Sequence, residues 1–134
     1  MAGSVTYKKN KIRVGNDIVE EHVWAWTADS GDGSVPDTVT DDTVTGYLMN
    51  AKTDPGTTAP TALYDIALND DDAVDVFQAE LNNRSAADSE QVLAKVGNAY
   101  GEPFINSVLT MVLTNNSVNS AVGELKVYVR VPSP

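Results

Sequence analysis

From Glu124 to Val131 the chain alternates without a break: Leu125, Val127, Val129 and Val131 are apolar, and Lys126, Tyr128 and Arg130 between them carry polar atoms. A period of two puts the four aliphatic side chains on one face of an extended strand, whereas a helix would scatter them around its circumference. The same period runs through residues 104–114, where Phe104, Val108 and Val112 oppose Ile105, Leu109, Met111 and Leu113. This predicts one long strand. Asn115-Asn116-Ser117-Val118-Asn119-Ser120 is rich in residues that tolerate left-handed conformations and reads as a turn, so the two runs are expected to form a closing hairpin. Lys126 and Arg130 imply one solvated face, as an antiparallel sheet permits.

Further strands are predicted upstream. Ile18 to Thr27 alternates a Trp face with a Val face. A shorter run holds Val44, Tyr47, Leu48 and Met49, and Tyr64, Ile66 and Leu68 keep clean period-two spacing; Val92 to Val96 is compatible with one more. Short runs separated by Gly, Pro, Asp and Asn point to an all-β sandwich or barrel and away from a βαβ arrangement. The exception follows Asp70-Asp71-Asp72, where Val74, Phe77 and Leu81 take helical spacing. An Asp there would cap free N–H groups, so one short helix over 74–81 is expected, and no more than one. Core positions should include Ile66, Leu68, Leu109, Leu113, Leu125, Val127 and Val129. The chain has 134 residues and no cysteine, a length that buries a core without disulfides and fits a single domain.

Charge is unevenly placed. The net charge is −10, yet the first 13 residues contain four of the nine cations, Lys8, Lys9, Lys11 and Arg13, and no acid. Residues 14–134 therefore hold five cations against 19 carboxylates, a net of −14. The expected organisation is a basic N-terminal arm over 1–13 and a single β-sandwich domain over 14–134. A surface this acidic disfavours nucleic acid. No run approaches a membrane span, and Met1-Ala2-Gly3-Ser4 opens no apolar leader, so synthesis in the cytoplasm is expected.

Candidate chemistry is sparse. Asp29-Ser30-Gly31-Asp32-Gly33 resembles the start of a calcium loop, but the third and fifth positions are Gly31 and Gly33 and the twelfth is Thr40, so most carboxylate ligands are missing. His22 is the one histidine and falls in mid-strand, where a half-buried structural role is expected. No Gly-x-Ser-x-Gly elbow or phosphate-cradling glycine motif is present, and 19 acids make any carboxylate pair uninformative. No catalytic, metal or cofactor site is predicted. Trp24 and Trp26 point the same way from one strand: core packing is the simpler reading, and a stacking platform for sugar or a protein anchor is the alternative.

Several segments carry a resemblance: Thr61-Ala62-Leu63-Tyr64-Asp65-Ile66-Ala67-Leu68-Asn69-Asp70, Val74-Asp75-Val76, Asn83-Arg84-Ser85 leading to Glu90-Gln91-Val92, and Gly123-Glu124-Leu125-Lys126-Val127-Tyr128-Val129-Arg130. From Ala59 onward the chain resembles small virion structural proteins of tailed bacteriophages, capsid decoration or cement proteins among them. The resemblance covers a little over half the chain and consists of strand and turn patterns. It implies a jelly-roll-like antiparallel β-sandwich on the outer surface of a virion shell, with the major capsid protein as partner and no enzyme activity. A protein on a symmetric shell is expected to self-associate, as a dimer or a trimer. Lys8, Lys9, Lys11 and Arg13 would then contact the capsid electrostatically, with Val5, Tyr7 and Val14 as apolar contacts if the arm adds a strand to a neighbour. The alternatives are a carbohydrate- or receptor-binding β-sandwich of a virion, using Trp24 and Trp26, and a small hydrolase with a carboxylate pair.

Overall fold

The computed structural model describes residues 2–132, among which there is no helix. Its strands are β1 (Ser4–Val14), β2 (Asp17–Thr27), β3 (Thr38–Val39), β4 (Val44–Pro55), β5 (Asp65–Asn69), β6 (Glu90–Leu93), β7 (Lys95–Val96), β8 (Ala99–Tyr100), β9 (Phe104–Ser107), β10 (Thr110–Thr114) and β11 (Val122–Val131). The larger sheet runs β1-β2-β11-β4-β6, and β9 joins the same side of β4 as β6, so the two lie end to end. The smaller sheet is β3-β10-β5, β7 and β8 form a separate short pair, and every pairing is antiparallel.

Both sheets feed one core. Trp24 and Trp26 from β2, Leu48 and Ala51 from β4, and Leu125, Val127 and Val129 from β11 join Ile66 and Leu68 of β5 and Met111 and Leu113 of β10 in a single buried cluster. All seven core positions expected from the alternation are buried. The Trp24 indole N–H donates to the carbonyl of Thr38 across the sheets at 3.1 Å, and the Trp26 ring meets Tyr64 edge-on at 5.9 Å between centroids. Gly123 faces Trp26 from β11: a Cβ there would lie 2.5 Å from Cζ2, so only glycine leaves room for the indole.

Three expectations about local structure fail, each for a physical reason. Residues 104–114 do not form one strand. β9 belongs to the larger sheet and β10 to the smaller, and the chain crosses between them at Val108 and Leu109. Ile105, Ser107, Leu109, Met111 and Leu113 all stay buried through the crossing, because the core lies between the sheets and the inward face is the same for both. Thr40 fastens the crossing: its N–H donates to the Leu109 carbonyl at 2.9 Å, and its Oγ1 accepts from the Leu109 N–H at 3.2 Å.

The closing hairpin is absent for the same reason. β10 pairs with β3 and β5, whereas β11 pairs with β2 and β4, so Asn115 to Ala121 bridges two sheets. Asn115 and Ser120 take left-handed conformations in that bridge, with φ of 63° and 58°.

The helix over 74–81 is a chain of tight turns. The N–H groups of Gln78, Glu80 and Asn82 each donate to the carbonyl three residues back, and Ala73, Gln78, Ala79 and Asn83 have positive φ, which interrupts helical propagation. Phe77 and Leu81 are fully buried as the helical spacing required, but Val74 is 55% exposed. The Asp75 carboxylate holds the turns, with Oδ1 accepting from the Leu68 and Phe77 N–H groups and Oδ2 from Ala79 N–H.

Candidate functional site

The basic segment expected as a free arm is strand β1. It pairs with β2 over its whole length, from Ser4 opposite Thr27 to Val14 opposite Asp17. The two-residue loop Gly15-Asn16 closes the hairpin, and Gly15 sits at φ 61°, the conformation that the first central residue of a type II′ turn requires. Val5 and Tyr7 are half-buried against the core, so these two of the apolar contacts assigned to a partner are made within the domain. From Lys8 to Val14 every residue is exposed. Met1, which belonged to the expected arm, lies outside the described residues.

Pleating divides the four cations. Lys9, Lys11 and Arg13 share a face with Val5 and Tyr7, and Lys8 lies on the other with Asn10, Ile12 and Val14. Among the described residues, none of the four has a carboxylate oxygen within 4.0 Å of its charged nitrogen; the ion pairs present join His22 to Glu20, Arg84 to Glu90, Lys95 to Glu80 and Arg130 to Glu102. Glu21 fixes the Lys8 face by accepting from Asn10 Nδ2 and Tyr128 Oη, each at 2.9 Å, and the Asn10 bond is the main reason its carboxyl is held below the usual range.

Beneath the cations lies a small polar network. His22 is 1% exposed, more deeply buried than a half-buried strand histidine, because it lies on the inward face of β2 with Trp24 and Trp26. Its Nε2 is 3.2 Å from Glu20 Oε1 and its Nδ1 is 2.6 Å from Tyr7 Oη. A carboxylate only accepts, so Nε2 carries the proton and Nδ1 accepts from the phenol. Burial lowers the His22 pKa despite the opposing pull of Glu20. Burial also pushes the Tyr7 phenol up to about 12, assisted by Asp41, Glu20 and Asp42. This network braces β1 against β2, beside a small cleft that Lys9, Asp41 and Asp42 also line.

The remaining candidates take structural places. Trp24 and Trp26 are 0% and 1% exposed, so neither offers a ring face to a sugar, and the stacking-platform alternative is corrected to core packing. The loop beginning at Asp29 turns its carboxylates on its own backbone: Asp29 Oδ1 accepts from the N–H groups of Gly31 and Asp32, and Asp32 Oδ1 from the N–H and hydroxyl of Ser34. Asp70, Asp71 and Asp72 bring oxygens within 4.8 Å of one another, and Asp70 Oδ1 accepts from the N–H groups of Asp72 and Val74 as a turn cap. What sequence reasoning missed was the edge position of the cations. The signal was there in Gly15-Asn16, a two-residue hairpin loop between Val5-to-Val14 and Ile18-to-Thr27.

Comparison of the chain with protein-family models, curated proteins and solved structures returned no match.

Proposed function

We propose that the chain is a non-enzymatic capsid decoration or cement protein of a tailed bacteriophage, a jelly-roll-like β-sandwich that binds the outer shell and stabilises it. The reading is supported by the resemblance over 59–130, whose text falls on β5, the turns at 74–76, β6 and β11, elements from both sheets. The observation that carries the attachment mode is the row of Lys8, Lys9, Lys11 and Arg13 on an exposed strand of a protein otherwise net −14. The partner is the major capsid protein, the location is the virion surface, and the protein self-associates, as a dimer in the first instance and as a trimer in the second.

Purified virions analysed by mass spectrometry with copy counting test the reading. Many copies per particle are expected, and adding the protein to undecorated shells should raise their melting temperature. A protein absent from virions, or one that binds shells without stabilising them, overturns it.

A further inference from the structure

β1 has an open side. In a two-residue hairpin the residues flanking the loop, here Val14 and Asp17, exchange both backbone hydrogen bonds, so the even-numbered residues of β1 bond to β2. The N–H and C=O groups of Val5, Tyr7, Lys9, Lys11 and Arg13 therefore point away from β2. Among the described residues, no backbone group of another element bonds to them. Other edges are finished: the side of β5 away from β10 is bonded by Leu81 and Val76, Tyr64 just before it is bonded by Arg84, β3 is two residues long, and β6 and β9 are four each. β1 offers eleven.

The residues with free backbone groups are also the ones that carry Lys9, Lys11 and Arg13 on one face. An antiparallel strand docked here would place its own residues opposite these three in hydrogen-bonded pairs, with Cα atoms about 5.5 Å apart and like faces aligned. Alternate side chains on that strand repeat at about 6.8 Å, the spacing of the three cations. On the opposite face the exposed neighbours are Ile12 and Val14, 43% and 58% accessible. A second copy paired through its own β1 would gather eight cations along one seam, which charge opposes.

We propose that the outer edge of β1 is a docking site for an acidic, extended segment of another protein, which adds as an antiparallel strand with carboxylates at alternate positions opposite Lys9, Lys11 and Arg13 and apolar side chains between them. The inference concerns the chemistry the edge takes and goes beyond the decoration reading; it holds for an acidic strand from any protein. Lysines on an edge also deter unspecific pairing, so the site selects against neutral and basic strands while admitting an acidic one.

The probe is a capped, fluorescent heptapeptide alternating valine and aspartate with valine at both ends, titrated by anisotropy against the full chain. Saturable binding that weakens with salt is expected, with an asparagine-for-aspartate peptide at least about tenfold weaker. N-methylation of the aspartate amides, which would face β1, should abolish binding, whereas N-methylation of the valine amides should leave it. Lys9→Glu, Lys11→Glu and Arg13→Glu combined should lose binding by about tenfold or more with the thermal transition retained, and Lys8→Glu, on the other face, should lose little. Equal binding of the two N-methylated peptides means charge attraction alone and overturns strand addition; equal binding of the asparagine peptide overturns the acidic requirement. A dimer that the peptide dissociates makes a second copy the occupant and overturns the proposal. None of these readings depends on a capsid, so failure of the shell assay and failure of this one are separate results.

Discussion

The two long sides of this protein end in opposite ways. At β5 the sheet edge is closed by the chain's own turns: Ile66 N–H donates to the Leu81 carbonyl, Val76 N–H donates to that of Leu68, and Phe77 and Leu81 plug the core beneath. At β1 the edge is left open and covered with charge. The first solution uses buried apolar area and a carboxylate that satisfies three amides; the second uses solvated lysines and contributes little to the core beyond Val5 and Tyr7. A closed edge can only be structural. An open one retains unpaired backbone groups and so keeps the capacity to bind.

The comparison breaks first at Phe77. Phe77→Ala should cost about 3 to 5 kcal/mol, as truncation of a buried aromatic does, and urea unfolding measures it. A loss below about 1 kcal/mol would mean the turns do not seal the edge. Asp75→Ala comes next: it leaves the Leu68, Phe77 and Ala79 amides short of an acceptor and should cost about 1 to 3 kcal/mol, with faster amide exchange confined to β5 and the turns. Uniform exchange across both sheets would assign Asp75 no local role.

How far this contrast is legible in the sequence depends on whether a feature is local. The inward residues of β11 declare themselves because uninterrupted alternation and a buried face coincide there, whereas the inward face of β2 mixes Glu20 and His22 with Trp24 and Trp26. β4 does not, because a bulge near Met49 shifts the register between Tyr128 opposite Asn50 and Val129 opposite Leu48, moving the buried set from Val44, Gly46 and Leu48 to Ala51 and Thr53. A strand of twelve residues thus reads as a short one. Phe77 and Leu81 have helical spacing and are buried, but which turns carry them inward is decided by Asp75 reaching β5, a tertiary contact. The four cations are evident in composition, and their place on an edge follows only once Gly15-Asn16 is recognised as a hairpin loop. Strand order is the least legible, since one inward face serves both sheets and alternation cannot say which sheet a strand joins.

His22 lies under the open edge and supplies a test of intermediate size. Its pKa is lowered from 6.5 by burial, so the unfolded chain binds the proton more readily than the folded one. Stability from this group is fully present above about pH 6.5 and declines as pH falls toward the lower folded value. The neighbours that set the shift are Glu20 and Lys9, with Tyr7, Asp41 and Asp42 around the same space. Unfolding free energy should therefore fall between pH 7 and pH 5, and His22→Gln should flatten that segment of the profile. An unchanged profile in the variant would assign the slope to carboxylates elsewhere.

The smallest effect is expected where binding is expected. Lys9, Lys11 and Arg13 are exposed and hold no ion pair within 4.0 Å among the described residues, so replacing all three with serine should change stability by no more than about 0.5 kcal/mol. The substitution has a further consequence that separates the two ways of finishing an edge. With three of its four cations gone, β1 keeps its unpaired backbone groups, and Ile12 and Val14 stay exposed, so the variant should self-associate at concentrations where the wild-type chain does not gain mass. Sedimentation velocity across a concentration series, beside the urea midpoint, reads both quantities on one sample. A variant with unchanged midpoint and increased association would mean the cations regulate which strands the edge accepts; a large fall in the midpoint with no added association would mean they brace β1 itself, and the contrast with β5 would disappear.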